Sequence, residues 1–225
     1  MTALAALALS TRAAAADRPA EAVAWSEASA FATGPLAGNP VAKSFKAPSG
    51  AARWPEAIPL IGPDGPQSFA HWRGKTLFVT LWAEWCAPCL AEMPALARLN
   101  KAHRNRGFEI LPIVTGSHTL RTYADARERL ARLKGAEIDT LLDGSPDRRA
   151  LMTTLAQIEL PASFVLPPGA KLGGPPTGLP CLLIVDPGGR LRGRFVGGPG
   201  PKEGNLWETP AGEAFMRGLA EGAVA

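Results

Sequence analysis

The sequence predicts an α/β fold, and three observations along the chain support this prediction. After residue 75, short apolar runs alternate with segments whose apolar residues recur at helical spacing, a pattern typical of α/β domains. The run from Leu77 to Trp82 is too short for a helix and rich in strand formers, so it predicts a buried central strand. The turn sequence from Asp186 to Gly189 separates two further apolar runs and predicts a hairpin. We therefore expect a mixed sheet flanked by helices.

The other elements follow from the same patterns and from proline and glycine punctuation. Strands are expected at 58–61, 77–82, 108–114, 138–142, 179–185 and 191–196. The first helix is expected from 87 to about 106 with a kink at Pro94, and the second over 120–133. The third is expected to run from a Ser145 cap to about 157, and the fourth from 210 onward behind a Thr209 cap. Residues 160–179 are rich in proline and glycine and predict an inserted loop.

Two cysteines lie where the central strand gives way to the first helix. Trp85-Cys86-Ala87-Pro88-Cys89 ends the apolar run, and apolar residues at helical spacing follow it. The first N–H groups of a helix have no partner within the helix and carry partial positive charge, so they favour a thiolate over a thiol. We therefore expect Cys86 to be exposed and activated. Cys89, one turn further in, is expected to reach Cys86 and close a small disulfide.

This motif and its continuation resemble known redox proteins. Residues 82–89 resemble the active-site segment of thioredoxin, with an alanine where thioredoxin has a glycine. The run from Cys86 to Pro94 has a Glu three residues after the second cysteine and a Pro two residues further on. In this it is similar to the TlpA/ResA family of exported thiol–disulfide oxidoreductases. The resemblance covers about residues 56–221 and implies a thioredoxin-like fold.

The resemblance implies roles for individual residues. Cys86 would attack a partner disulfide as a thiolate, and Cys89 would then attack Cys86 in the mixed disulfide and release the reduced partner. Trp85 would shield the site and offer a flat apolar surface to the substrate, with plain packing as the alternative. Leu179 and Pro180 occupy the position of a cis-proline, which would leave the Leu179 backbone free to pair with a substrate strand.

The proton acceptor for the resolving thiol is the point where this chain departs from thioredoxin. Thioredoxin has a buried Asp six residues before its first cysteine, and that position is Thr80 here, which cannot accept the proton. Glu92 lies one helical turn after Cys89 and is the candidate acceptor. The alternative is that Glu92 only complements the helix dipole. Glu84 is the other nearby carboxylate, but its counterpart in the resemblance faces solvent.

The third cysteine has two open interpretations. Cys181 is either a small apolar residue at the start of a core strand or a third redox thiol that pairs with Cys86. A structural zinc site needs about four Cys or His ligands. The chain offers only this further cysteine and three scattered histidines beside the pair. No metal site and no cofactor are therefore predicted.

The N-terminal part is expected to differ in character from the domain at 56–225. Residues 1–16 are rich in Ala and Leu and end in an Ala run that resembles a signal-peptide cleavage site, although no basic residue precedes the apolar part. A disordered tail is the alternative. Residues 17–55 predict a Pro/Ala-rich arm or linker. Aromatic residues such as Trp25 and Phe45 are unusual in a linker, so part of this segment is expected to pack on the domain.

Charge and hydropathy give little sign of other partners. The net charge is +4 and the basic residues are spread along the chain, so no nucleic-acid binding is predicted. The densest basic cluster, from Lys101 to Arg106, falls on the far part of a predicted helix and is interpreted as a solvated face. No run of 18 apolar residues is present, so no membrane span is predicted.

The resemblance implies a periplasmic thiol:disulfide oxidoreductase, exported by a signal peptide or tethered at its N-terminus. It would reduce disulfides of exported proteins, as in cytochrome c maturation or copper-centre assembly, with electrons from a membrane-bound thiol donor. A copper-binding chaperone that uses Cys86 and Cys89 is the alternative from another class. Copper-delivering relatives usually have three residues between the cysteines and a partner histidine, whereas this chain has two, which favours the redox enzyme. A thiol oxidase or isomerase is a further alternative, because the direction of thiol–disulfide exchange depends on the redox potential of the cysteine pair.

Overall fold

The computed structural model describes residues 22–105, 107–157, 178–197 and 204–224, and the fold is reported for these ranges. The strands are β1 Trp25–Ser29, β2 Lys46–Pro48, β3 Leu60–Gly62, β4 Gly65–Gln67, β5 Thr76–Trp82, β6 Phe108–Val114, β7 Leu141–Asp143, β8 Cys181–Val185 and β9 Leu191–Val196. The α-helices are α1 Ala87–His103, α2 Tyr123–Ala131, α3 Ala150–Leu155 and α4 Pro210–Ala220.

Strand β5 lies at the centre of a single mixed sheet. The order of strands across the sheet is β1-β2-β9-β8-β5-β6-β7-β3-β4. β5 runs parallel to β6, with Thr76 opposite Phe108, and antiparallel to β8, with Leu81 opposite Cys181. Every residue of β5 is buried, as expected for a strand whose two faces are both covered. The predicted α/β architecture, a central mixed sheet flanked by helices, is confirmed.

The apolar core is divided between the two faces of this sheet. Phe78 and Trp82 of β5 belong to one buried cluster together with residues of α1 and α4. Leu81 of β5 and Cys181 of β8 belong to a second cluster together with residues of α3. Successive side chains of a strand point to opposite faces, so the two clusters lie on opposite sides of the sheet.

Residues 22–55 are a packed part of the fold. Sequence analysis expected an arm or linker over 17–55, but its described part adds β1 and β2 to the sheet beside β9. Phe45 is fully buried, and its ring stacks on that of Phe215 in α4 with centroids 5.1 Å apart. On the other face, Trp54 stacks on another aromatic ring at 4.5 Å. A buried aromatic side chain removes about 150–250 Å² from water, and a loose linker would forgo that gain.

The predicted strands near the centre are confirmed, and the first helix differs at its end. β6 and β9 have the predicted bounds, and α4 begins behind Thr209, whose Oγ1 accepts the Gly212 N–H at 3.1 Å. Helix α1 continues through Pro94 but ends at His103 rather than near residue 106. It ends early because Asn105 starts a turn, in which its side chain accepts the N–H of residue 107 at 2.7 Å.

The third helix begins later than the sequence predicted. Ser145 was expected to cap it, but α3 starts at Ala150. The side chains of Asp143 and Ser145 instead reach across the turn, where they accept the N–H groups of Leu151 at 2.7 Å and Ala150 at 3.2 Å. The segment between them is therefore a turn held by side chains.

Some expectations lie beyond the described ranges. The predicted signal remnant at 1–16 and most of the predicted loop at 160–179 fall on residues that the structure does not describe. Among the described helices, none combines the length and apolar content that crossing a bilayer requires.

Candidate active site

The two cysteines of the motif form a disulfide at the junction of β5 and α1. Cys86 is the N-cap of α1 and is bonded to Cys89, with their Cα atoms 5.3 Å apart. The Cys89 N–H donates to Cys86 Sγ at 3.3 Å. In the reduced protein this amide, which has no partner within the helix, would favour a thiolate on Cys86 over a thiol.

The exposure of Cys86 differs from the prediction. Cys86 is only 3% exposed and Cys89 is fully buried, so the expectation of an exposed Cys86 is wrong for this disulfide form. Both residues are part of the apolar cluster on the α1 face of the sheet, which covers most of their surface. The remaining accessible surface of the pair belongs to Cys86, as its predicted attacking role requires.

Trp85 is the exposed aromatic residue beside the disulfide. It is 45% exposed, and its indole Nε1–H donates to the Gly116 carbonyl at 2.9 Å. The His118 ring lies 6.0 Å away, centroid to centroid. Gly116 has φ +64°, a left-handed backbone conformation that favours glycine. The indole is thus fixed at one end and presents its apolar surface to solvent.

Glu84 holds the neighbouring loop in place. Its Oε1 accepts the N–H groups of His118 at 2.7 Å and Thr119 at 2.9 Å. Burial disfavours the charged form, but hydrogen bonds from Ser117 and from backbone N–H groups outweigh it and keep the Glu84 pKa below its usual value. Glu84 is half-buried rather than solvent-facing, because these loop amides surround it. A carboxylate so stabilised is a poor proton acceptor.

Glu92 has the opposite environment. It is 3% exposed on α1, and neither carboxylate oxygen has a hydrogen-bond partner among the described residues. Burial raises the Glu92 pKa from 4.5 to about 7, while the Trp207 indole favours the charged form and opposes the rise. The Trp207 indole thus lies close enough to the Glu92 carboxylate to favour its charge, but the two groups do not meet the geometry of a hydrogen bond. A carboxyl group with this pKa can exchange a proton at neutral pH.

The segment before β8 completes one side of the site. The Leu179–Pro180 peptide bond is cis, as the resemblance predicted. Leu179 is half-buried against both apolar clusters, and Pro180 is buried. Within the described residues, the Leu179 N–H and C=O form no bond to another backbone group. Since Cys181 lies opposite Leu81, this segment runs beside the end of β5 from which the cysteine motif continues.

Cys181 lies on the other side of the sheet from the disulfide. It belongs with Leu183 of the same strand to the cluster on the α3 face, whereas Cys86 and Cys89 belong to the cluster on the α1 face. It is fully buried, and burial raises its pKa to about 12 against the opposing charge of Arg194. These observations favour the interpretation of Cys181 as a core residue over that of a third redox thiol.

Two features of the site were missed by sequence reasoning. The first is Trp207, which no spacing in the sequence connects to α1. The second is the buried carboxylate of Asp143, which accepts the Thr115 hydroxyl at 2.9 Å beneath the loop that holds Trp85. The Gly116 N–H in turn donates to the Arg148 carbonyl at 2.6 Å. Asp143 is the last residue of β7, and a polar residue directly after the apolar run was the signal in the sequence that could have identified it.

Metal-binding side chains do not gather elsewhere in the described ranges. No group of three or more His, Cys, Asp or Glu within them is placed to hold an ion. A copper ion at this site would be held by the sulfurs of Cys86 and Cys89.

Comparisons with known proteins agree with this fold and site. The chain aligns with the solution structure of a thiol:disulfide interchange protein from a Bacteroides species, over 79% of this chain and 91% of that one, with 17% identity and a TM-score of 0.52. The fold is thus thioredoxin-like, with a CxxC disulfide at the start of its first long helix. The redoxin family model matches residues 38–166, more than half of the chain, and the chain belongs to the redoxin family.

Curated relatives are similar over shorter stretches. Thiol-disulfide oxidoreductase ResA of Geobacillus thermodenitrificans is 27% identical over 101 residues, which cover 45% of this chain and 53% of ResA. An uncharacterised protein of Haemophilus influenzae is 34% identical over 79 residues, 35% of this chain and 50% of that protein. The chain thus spans about half the length of these curated relatives.

Proposed function

We propose that the protein is a thiol:disulfide oxidoreductase that reduces disulfides of other proteins. The observation that carries this proposal is the Cys86–Cys89 disulfide at the N-terminus of α1, with a helix amide on the first sulfur. The similarity to ResA, which is named for this activity, supports it.

The reaction consists of two thiol–disulfide exchanges. In the reduced protein the Cys86 thiolate attacks one sulfur of the partner disulfide, and the other partner sulfur leaves as a thiolate and takes up a proton. Cys89 then loses its proton to Glu92 and attacks Cys86 Sγ. The Cys86–partner bond breaks, the Cys86–Cys89 disulfide forms, and the partner has gained two electrons. Glu92 passes its proton to the leaving partner thiolate or to solvent.

The geometry around the disulfide supports docking of a polypeptide. Trp85 offers an apolar surface at the edge of the site, fixed through its bond to the Gly116 carbonyl. On the other side, Leu179 has a backbone N–H and C=O without backbone partners in the described ranges. An extended substrate segment would pair with this backbone as an added strand. Pro180 would support Leu179 from the start of β8.

Location and partners are proposed from the resemblance. The protein would act in the periplasm, exported or tethered through its N-terminal segment, and a membrane-bound thiol protein would supply its electrons. Its substrates would be exported proteins of the cytochrome c maturation or copper-centre assembly type. The names of ResA and of the Bacteroides interchange protein support the disulfide chemistry.

The midpoint potential of the Cys86–Cys89 pair tests the proposed direction. We expect a reducing value near that of thioredoxin, about −270 mV, and turnover of insulin disulfides when a chemical thiol supplies electrons. A value near −120 mV, typical of a strong oxidant, together with oxidation of reduced substrate peptides, would instead identify an oxidase. Cys86→Ser is the inactive control for both assays.

A further inference from the structure

Two buried polar groups meet between α1 and the short 3₁₀ helix Leu206–Glu208. Glu92 is 3% exposed and Trp207 is fully buried. Within the described residues, neither Glu92 oxygen nor the Trp207 indole Nε1 has a hydrogen-bond partner of good geometry. Unpaired buried polar groups are costly and rare in native proteins, so this pair requires an explanation.

The contacts on either side of Trp207 place it against the turns of α1 that carry Glu92. The Asn205 side-chain amide donates to the Ala91 carbonyl at 3.3 Å, and Glu208 pairs with Arg98 at 3.7 Å. The Trp207 ring meets Phe78 of β5 edge-on at 5.1 Å. The indole is therefore held between the central strand and the active-site helix.

We propose that Trp207 is a positioning residue of this active site, whose indole N–H is the buried donor that holds the Glu92 carboxylate ready to accept the proton of Cys89. This proposal rests on the proposed function and deepens it. An indole is a donor only, so its hydrogen bond to the charged carboxylate is stronger than its hydrogen bond to the C=O oxygen of the protonated form. The 3₁₀ helix is then part of the resolving machinery, although it lies more than 100 residues from the cysteines along the chain.

The direction of the effect follows from the two opposing influences on Glu92. Burial favours the protonated form, and the Trp207 indole favours the charged form, giving a pKa of about 7. Without the indole N–H, the Glu92 pKa would rise further. Loss of one hydrogen bond to a charged carboxylate raises the pKa of that carboxylate by about one unit. Fewer molecules would then carry a charged Glu92 at pH 7, and resolution of the mixed disulfide would slow about fivefold.

The first test uses the oxidised wild-type protein and ¹⁵N NMR of its indole groups. The Trp207 indole signal should titrate with a midpoint near pH 7 and lose this titration in Glu92→Gln. Trp54 provides an internal control, because its indole N–H is also buried and has no partner among the described residues but lies on the opposite face of the sheet. Its signal should show no such titration.

The second test removes the donor and measures the reaction. Trp207→Phe should shift the pH profile of mixed-disulfide resolution upward by about one unit, whereas Trp54→Phe should leave that profile in place. Should Trp207→Phe fail to fold, benzothienylalanine at position 207 keeps the ring shape and deletes only the N–H. In a Glu92→Gln background, neither Trp207→Phe nor benzothienylalanine at position 207 should have any further effect on the pH profile.

An indole signal that does not titrate, or an unshifted profile in the benzothienylalanine protein, would overturn the role of Trp207. Absence of disulfide exchange by the wild-type protein would overturn the proposed function, and with it any kinetic role of Trp207. The titration and the exchange assay therefore separate the two failures.

Discussion

The two sulfurs of the disulfide lie in different surroundings. Cys86 Sγ accepts a helix N–H, whereas Cys89 Sγ lies 3.9 Å from the Leu81 carbonyl oxygen. An amide donor favours a thiolate, and a carbonyl oxygen beside a buried sulfur favours the protonated thiol. Cys86 is thus suited to attack a partner, and Cys89 requires a base before it attacks.

This asymmetry predicts which cysteine variant traps substrates. Cys89→Ser should accumulate mixed disulfides with partner proteins, because Cys86 still attacks and the resolving thiol is gone. Cys86→Ser should accumulate none. Non-reducing electrophoresis of pull-downs reads out the adducts, and alkylation of the reduced wild-type protein should label Cys86 well below a pH of about 8.5, the pKa of a free thiol. Preferential labelling of Cys89 or Cys181 at neutral pH would contradict the assignment.

Glu92→Gln should separate the two chemical steps. Glutamine keeps the size of the side chain but accepts no proton, so resolution of the mixed disulfide should slow by about 10²-fold or more, as expected for loss of a general base. Formation of the mixed disulfide should change little. Stopped-flow fluorescence of Trp85 measures both steps. Equal slowing of both steps would return Glu92 to a purely structural role.

Sequence reasoning singled out candidate residues that lie within one motif and missed contacts that only folding creates. Cys86, Cys89 and Glu92 share a single helix, where residue spacing indicates which side chains face each other. Trp207 reaches this helix only through the tertiary fold, so no local pattern predicts the contact. The burial of Cys86 was missed for the same reason, because the covering residues come from several elements.

Among the elements, the loop at residues 116–119 depends on two residues of the motif itself. Glu84 accepts two of its N–H groups, and Trp85 donates to the Gly116 carbonyl. The cysteine motif thereby arranges the loop beside it. The sequence predicted a strand at 108–114 and a helix over 120–133 with a connection between them, but the attachment of this connection to Glu84 depends on the parallel pairing of β5 and β6, which brings their ends together.

Glu84→Ala should release this loop. The His118 and Thr119 amides should exchange with solvent at least tenfold faster, because each loses a charge-assisted hydrogen bond worth about 1.5–3 kcal/mol. Hydrogen-exchange NMR measures this change, and KM for a peptide disulfide should rise. Asp125→Ala is the matched control, since Asp125 also accepts two backbone N–H groups but at the start of α2. Unchanged exchange at both amides in Glu84→Ala would contradict the attachment.

The strands at the centre of the sheet were easier to predict than the start of α3. β5, β6 and β9 are bounded by polar or glycine-containing turns, so their length is visible in the sequence. The start of α3 is set by the Asp143 and Ser145 side chains, which bind amides several residues ahead. Ser145 and Pro146 have the composition of a helix N-terminus. Only the folded turn shows which N–H groups donate to the Ser145 hydroxyl.

At the scale of the whole molecule, the segment at 22–55 joins the core of the domain. Phe45→Ala should lower the free energy of unfolding by about 3–5 kcal/mol, as for other fully buried phenylalanines. Lys46→Ala, at the next position, should cost less than about 1 kcal/mol, because its ion pair with Glu27 is exposed. Urea unfolding measures both, and a single transition is expected. An unchanged midpoint in Phe45→Ala would show that the segment is only loosely attached.

The raised pKa of Glu92 makes the stability of the whole protein depend on pH. Because its pKa rises from 4.5 to about 7 on folding, the folded state holds the proton more tightly. Its contribution to stability is fully present below pH 4.5 and is lost as pH rises through 7. A change of about two and a half pKa units corresponds to about 3 kcal/mol.

Glu92→Gln does not titrate and escapes this loss. We therefore compare the free energy of unfolding of Glu92→Gln with that of wild type at each pH. This difference should shift in favour of the variant by up to about 3 kcal/mol between pH 4 and pH 8. Urea unfolding of the oxidised proteins across this range measures the difference. Glu84→Gln should change in the opposite direction, because the Glu84 pKa is lowered on folding and its contribution is lost as pH falls. A pH-independent gap between Glu92→Gln and wild type would mean that Glu92 has an ordinary pKa, and would remove the basis for its role as proton acceptor.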